Sequence, residues 1–321
     1  MAQIWRRGVL AALLVSALSG GAWAQPKTVG VLLKNVSNPF WDAAAQGAKD
    51  GAKAAGVDVY VLSSQSDADV GPQLDICNTM LERKTDAMVV AAVNPTGLLP
   101  CLAQATKRGI PILDIDSNLI QDIAEKAGVK VANSIGSDNR QAGALGARYL
   151  ASKIQKGKVL LLEGAPGTLT AIDRAAGFKD ELPKVASGLT IVASLTGNWE
   201  RDKAANVTND VLTANPDLAA IFASNDQMGL GAVEAARAAG KSNLIIVSVD
   251  GIPDAVAAIK EGRLAASVAQ LPYLFGLRGV EDAAAILSGK TFSPWKQVVP
   301  LVVLDKEVLQ KGTDPMLKYV R

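Results

Sequence analysis

Residues 28–63 read TVGVLLKNVSNPFWDAAAQGAKDGAKAAGVDVYVLS. Thr28–Leu33 is an unbroken apolar run without the alternation of a half-exposed strand, so it reads as a strand covered on both faces. The polar loop Asn35–Phe40 follows, then Trp41–Ala55, whose Ala, Lys and Gln content suits a helix. A second apolar run, Val57–Ser63, closes a strand–helix–strand unit of the kind that builds parallel sheets. The same alternation continues along the chain. Further strands are predicted at Ala87–Ala92, Ile112–Ile115, Lys158–Glu163, Leu189–Leu195, Ala219–Ala223, Ile245–Val249 and Ala265–Ala269, with helices such as Gly229–Ala239 between them.

The opening unit recurs in the second half. There a strand, the loop Gly164–Thr170 and the helix Ala171–Val185 lead to strand Leu189–Leu195. Asn94-Pro95, a helix ending near Gly109 and a strand reaching Asp116 match Asn225-Asp226, a helix ending at Gly240 and a strand reaching Asp250. The repeat implies an α/β chain of two similar Rossmann-like, doubly wound parallel-sheet lobes. Ligands of open parallel sheets sit beyond the carboxyl ends of the strands. That rule selects the loops Lys34–Trp41, Asp116–Asn118, Gly164–Arg174, Trp199, Asn225–Asp226 and Asp250–Gly251. They concentrate Asn, Asp, Arg and Trp in a chain that is only 4% aromatic.

The N-terminus carries Arg6 and Arg7, an uncharged stretch from Gly8 to Leu18, and Ala22-Trp23-Ala24, the pattern of an export signal cleaved after Ala24. The apolar stretch is shorter than the ~20 residues of a spanning helix. Export implies a periplasmic protein, and removal of 24 of the 321 residues leaves 297, enough for two domains. Losing Arg6 and Arg7 from 33 basic residues leaves 31, equal to the 31 acidic ones. That balance gives no reason to expect nucleic acid or an anionic membrane surface as partner. The chain has no histidine, which excludes a Ser-His-Asp triad, a Cys-His pair and a His-ligated zinc site. No cofactor or metal is expected. Cys77 and Cys101 fall in predicted helices on one sheet face, and both a disulfide and two buried thiols remain open.

A neutral polyhydroxyl ligand needs a hydrogen-bond partner for every hydroxyl it desolvates. Its C–H faces pack on flat aromatic rings. Phe40, Trp41 and Trp199 could supply rings. Asn38, Asp116, Arg174, Asn225, Asp250 and Gln270 could supply hydrogen bonds, the charged ones stronger than the neutral. Each also has a structural reading: Phe40 and Trp41 as a staple of the first helix, Trp199 as a core residue, Asn225 as a helix cap, the two aspartates as turn residues, Arg174 as part of a solvated helix face and Gln270 as a crossover residue.

Val31-Leu32-Leu33-Lys34, Ser37-Asn38-Pro39-Phe40-Trp41, Phe222–Met228, Val249–Asp254 and Ala269-Gln270-Leu271-Pro272 resemble the ribose/allose-type periplasmic sugar-binding proteins, over about Lys27 to Leu304. The resemblance implies a type I periplasmic binding fold with three hinge crossings. The expected lobes are residues 25–137 plus 271–299, and 138–270 plus 300–321. It implies that Asn38 bonds ring hydroxyls and that Phe40 and Trp41 stack on one sugar face, Trp199 on the other. Asp116, Arg174, Asn225, Asp250 and Gln270 would complete the polar ring. Lys34 follows the allose type, where the ribose type has serine. Ser117 departs from both, since the ribose type carries arginine there and the allose type glutamate, so another hexose, a pentose or an acyclic polyol fits as well. The implied role is the solute-binding component of an ABC importer, a monomer closing on a sugar or polyol and docking on an inner-membrane permease and on a chemoreceptor. Competing readings are a sensor dedicated to signalling, a regulator of the same fold, which would need a DNA-binding module where the export signal lies, and an exported enzyme using Asp116 and Asp250 as an acid/base pair.

Overall fold

The computed structural model describes residues 25–320 except Val36 and Ser117. The expected export segment and the Ser117 position therefore lie outside the described residues. The first sheet is entered through β1 (Thr28–Leu33), α1 (Pro39–Ala55), β2 (Asp58–Ser63), α2 (Val70–Glu82), β3 (Ala87–Val90), α3 (Leu99–Lys107), β4 (Ile112–Ile115), α4 (Gln121–Lys126) and β5 (Val131–Gly136). The chain then crosses into α5 (Asn139–Lys153), β6 (Lys156–Glu163), α6 (Leu169–Val185), β7 (Gly188–Thr196) and α7 (Arg201–Ala214). The second sheet continues through β8 (Leu218–Ala223), α8 (Asp226–Ala238), β9 (Ile245–Asp250), α9 (Pro253–Lys260) and β10 (Ala266–Ala269). Next come α10 (Pro272–Leu287) and β11 (Lys296–Val298), then β12 (Val302–Asp305) and α11 (Lys306–Lys311).

The two sheets run β11-β5-β4-β3-β1-β2 and β12-β10-β9-β8-β6-β7, the same order strand for strand. The repeat read from the sequence is therefore an architectural one. Every pairing is parallel except β10 with β12. Because β11 and α10 return to the first sheet and β12 to the second, the chain passes between the sheets three times, after β5, β10 and β11. Val29, Val31, Val89, Leu113, Leu160, Ile221 and Val249 are wholly buried, as expected of parallel strands covered by helices.

The helix pairs α1–α10 and α5–α6 are the most closely packed in the molecule, one in each lobe. Their sequences explain it: a Cβ on Gly276 would lie 1.8 Å from the Ala44 carbonyl oxygen, and one on Gly177 would lie 1.9 Å from that of Arg140. Glycine lets the helix backbones touch, which fixes the height at which α1 and α6 present their N-termini to the strand tips. On the far side of the first sheet, Cys77 of α2 and Cys101 of α3 are joined by a disulfide. The sequence had left that choice open. α3 begins at Leu99, later than Asn94-Pro95 suggested. The Asn94 side chain instead accepts the backbone N–H groups of Thr96 and Gly97, forming a turn that competes with helix. β5, β11 and β12 were not foreseen. Among the described residues no helix is long and apolar enough to cross a membrane.

Candidate functional site

The carboxyl ends of the two sheets face each other across a cavity lined by residues of both lobes. Its first-lobe wall begins with Lys34 at the end of β1. The Lys34 ammonium donates to Asp116 Oδ2 at 2.6 Å and lies 5.1 Å from the centroid of the Trp41 ring. Asp116 follows β4 with φ of 69°, a left-handed conformation that a non-glycine residue adopts at a cost. Asn118 Nδ2 donates to the same Oδ2 at 2.9 Å.

Asn38 caps α1, its Oδ1 accepting the Phe40 N–H at 3.1 Å, and Pro39 occupies the first turn. The cap takes the Asn38 amide oxygen and leaves its amide nitrogen directed elsewhere. Phe40 and Trp41 meet edge to face with centroids 4.8 Å apart, and Phe40 also touches Phe275. Both aromatics thus staple the helix and line the cavity.

The second-lobe wall is built around Arg174 on α6, which is 4% exposed and no solvated helix face. Its Nε donates to Asn139 Oδ1 at 2.8 Å, and its Nη1 to the Ser224 carbonyl at 2.6 Å and to Asp250 Oδ1 at 3.3 Å. The guanidinium carbon lies 5.5 Å from the Trp199 ring centroid. Trp199 has φ of 67°, and its indole seats so closely on Gly164 that a Cβ there would lie 2.1 Å from the ring. Asn225 caps α8 through Oδ1 and donates through Nδ2 to the Trp199 carbonyl at 3.3 Å. Asp250 ends β9 with φ of 133°. Burial pushes its carboxyl well above the usual range, the Arg174 guanidinium opposes this, and the neighbouring Asp226 adds to it.

Each lobe therefore offers one cation–carboxylate pair, one helix-capping asparagine and one indole to a shared space. The periplasmic binding protein domain matches residues 29–291 of this chain. The chain belongs to the periplasmic binding protein family. The ribose import binding protein of Escherichia coli K12 is 33% identical over 285 residues, covering 88% of this chain and 92% of that protein. The D-allose-binding periplasmic protein of the same organism is 34% identical over 267 residues, covering 82% and 85%. A solved ABC-transporter periplasmic solute-binding protein from Actinobacillus succinogenes 130z, with bound D-allose, superposes with a TM-score of 0.84 at 34% identity, covering 89% of this chain and 99% of that one. The type I periplasmic binding fold and the two α/β lobes are those of this family.

Within this periplasmic binding protein, Lys34, Asn38, Phe40, Trp41, Asp116, Arg174, Trp199, Asn225 and Asp250 all line the one cavity. Gln270 does not. It is fully buried and set behind Asp250, to whose Oδ1 it donates at 2.6 Å, while its Oε1 has no partner among the described residues. Two lining residues escaped the sequence reading, Asp67 and Thr170. Thr170 is in the first turn of α6, inside a loop the reading did select. Asp67 lies between β2 and α2 in the stretch Ser63-Ser64-Gln65-Ser66-Asp67, which by composition is only a turn. Its position past a strand's carboxyl end was the available signal. Asn139, the partner of Arg174, was also missed. It opens α5 directly after the chain crosses from β5.

Proposed function

We propose that this periplasmic binding protein captures a neutral monosaccharide or polyol by closing its lobes, and delivers it to an inner-membrane ABC permease. The observation that carries the reading is the matched pair of walls: Trp41 with Lys34–Asp116 on one lobe, Trp199 with Arg174–Asp250 on the other. Flat rings suit the C–H faces of a sugar, and ionised side chains suit its hydroxyls. Charge supports neutrality. The two cations of the cavity are each already engaged by a carboxylate, and Asp67 adds a third carboxylate. No surplus positive charge is left for a sugar phosphate or sugar acid.

Closure requires that the ligand bind the closed state better than the open one, so contacts must come from both lobes. The hinge would lie at the crossings near residues 137/138, 270/271 and 299/300, with lobes 25–137 plus 271–299 and 138–270 plus 300–321. Lys34, Asn38, Phe40, Trp41, Asp116 and Ser117 would act from one lobe, and Arg174, Trp199, Asn225, Asp250 and Gln270 from the other. Gln270 would act through Asp250. In this reading the chain is a monomer exported after cleavage at Ala24, and it performs no chemistry on its ligand. Docking on a chemoreceptor would use the same closed state.

A melting-temperature panel tests the proposal. Neutral pentoses, hexoses and polyols, D-ribose and D-allose first, are set beside sugar phosphates and uronic acids. At least one neutral compound should raise the melting temperature, increasingly with the logarithm of its concentration once that exceeds Kd. A rise only with anionic compounds, or conversion of a bound sugar to product, would overturn it.

A further inference from the structure

Asp67 belongs to the loop joining β2 to α2, and its carboxylate is the meeting point of three neutral donors. Trp41 Nε1 donates to Oδ1 at 2.6 Å, while Asn35 Nδ2 and Asn38 Nδ2 donate to Oδ2 at 3.0 and 3.3 Å. The cavity's cations are engaged elsewhere, Lys34 with Asp116 and Arg174 with Asp250. The loop that holds Asp67 is itself shaped before any ligand arrives. Ser66 Oγ accepts the N–H groups of Ala68 and Asp69, Ser64 Oγ donates to the Lys34 carbonyl, and Asn35 forms a bridge with Gln65.

The hydrogen-bond inventory then decides what this wall can offer. An indole has a single donor, and Asp67 consumes it, so Trp41 presents its ring alone and in one orientation. The Asn38 carboxamide oxygen is taken by the α1 cap and one amide hydrogen by Asp67, leaving one hydrogen to donate. A carboxylate has about four acceptor positions, of which three are filled at Asp67, leaving one unfilled on a residue that lines the cavity.

We propose that Asp67 is a positioning and specificity residue of this site: it fixes the plane of the Trp41 indole, commits Asn38 to act as a donor, and accepts one ligand hydroxyl itself. The inference rests on the reading of the cavity as a neutral sugar or polyol site. A ligand would therefore need, on its first-lobe side, a hydroxyl that gives a proton to Asp67 beside an oxygen that takes one from Asn38. Deoxygenation at that hydroxyl would be penalised, since it leaves the acceptor desolvated and unpaired.

The test is a double-mutant cycle of Asp67→Asn and Trp41→Phe, with dissociation constants measured for the neutral compound that binds wild type best among D-ribose, D-allose, D-arabinose and xylitol. Asp67→Asn keeps the shape but turns one acceptor oxygen into a donor facing other donors. It should weaken binding tenfold or more while the ligand-free melting temperature changes little, and should shift tryptophan emission in the ligand-free protein. Trp41→Phe removes the indole N–H, so the two losses should be strongly non-additive. Asp67→Ala is the companion variant and should show the same loss and coupling. Asp67→Asn binding within twofold of wild type, or losses that simply add, would overturn the role of Asp67 and leave the sugar-site reading standing. Failure of wild type to bind any neutral compound would overturn both.

Discussion

Arg174 shows how a single side chain can be structural and functional at once. Its guanidinium reaches Asn139 on α5, the Ser224 carbonyl after β8 and Asp250 after β9 while its face lies near Trp199. Four separate segments of the second wall are thus held by one planar group. Arg174→Ala should weaken ligand binding by roughly a hundredfold, about 2.7 kcal/mol, as read by titration calorimetry. It should also lower the ligand-free melting temperature, because the buried Asp250 loses its cation. Arg174→Lys should recover little, since an ammonium cannot reproduce the fork that spans these acceptors. Binding unchanged in Arg174→Ala would remove it from the site. At this scale much of the cavity was legible, because Asp, Arg, Trp and Asn stood out at strand ends. Asp67 was hidden for a physical reason: its role comes from three partners brought to it by β1 and α1, which no local pattern announces. Gln270 lies behind Asp250 and outside the cavity lining, a distinction between lining and supporting residues that sequence order alone does not carry.

Each helix pair at the base of a wall depends on backbone contact through glycine. A methyl group on Gly276 would meet the Ala44 carbonyl at 1.8 Å, so α10 and α1 would have to separate and carry Asn38 and Trp41 with them. Gly276→Ala should therefore destabilise the protein by about 1–3 kcal/mol and weaken ligand binding as well, by melting and by titration. Gly71→Ala, in α2 with nothing within 4 Å of the added carbon, should be neutral or slightly stabilising. Equal effects of the two changes would refute the close-contact account. The elements themselves divide by what forms them. β1 and β4 were readable to the residue from their apolar runs, and the long amphipathic helices nearly so. β5 was missed because Asn133 and Ser134 interrupt its apolar pattern, and both are buried among partners supplied by other elements, Asp282 and Asp114. β11 and β12 have three and four residues and exist because a sheet edge was there to pair with, a tertiary cause that a short segment cannot carry in its own sequence.

The molecule as a whole places a buried acid beneath the carboxylate wall of each lobe, and this gives its stability a definite pH dependence. Asp114 on β4 is fully buried two residues before Asp116. It accepts from Ser134 through Oδ2, and the Leu119 backbone N–H adds a hydrogen bond to the carboxyl. Burial pushes its carboxyl up to about 7, the Ser134 hydrogen bond opposes this, and Asp116 adds repulsion while Lys34 relieves some of it. In the second lobe Asp226 is pushed up to about 6 by burial. It accepts from Ser248, Ser267 and the N–H groups of Gly251 and Ile252, which brace the turn carrying Asp250. Between the ordinary aspartate value of 3.8 and these raised values the folded chain keeps protons that the unfolded chain has released. Stability should therefore fall as pH rises from about 4 to about 7, and the raised carboxyl of Asp250 acts in the same direction. Asp114→Asn removes the larger of the two effects while preserving the acceptor for Ser134. Measured by melting, this variant should gain stability over wild type on the order of a few kcal/mol at pH 8 and little or none at pH 4. Asp226→Asn makes a useful contrast, because four donors converge on that carboxylate and an amide would face them with hydrogens, so it should lose stability at both pH values. A constant gap between Asp114→Asn and wild type across the range would mean that Asp114 is ionised in the fold, and that its charge is carried by the Lys34–Asp116 wall above it.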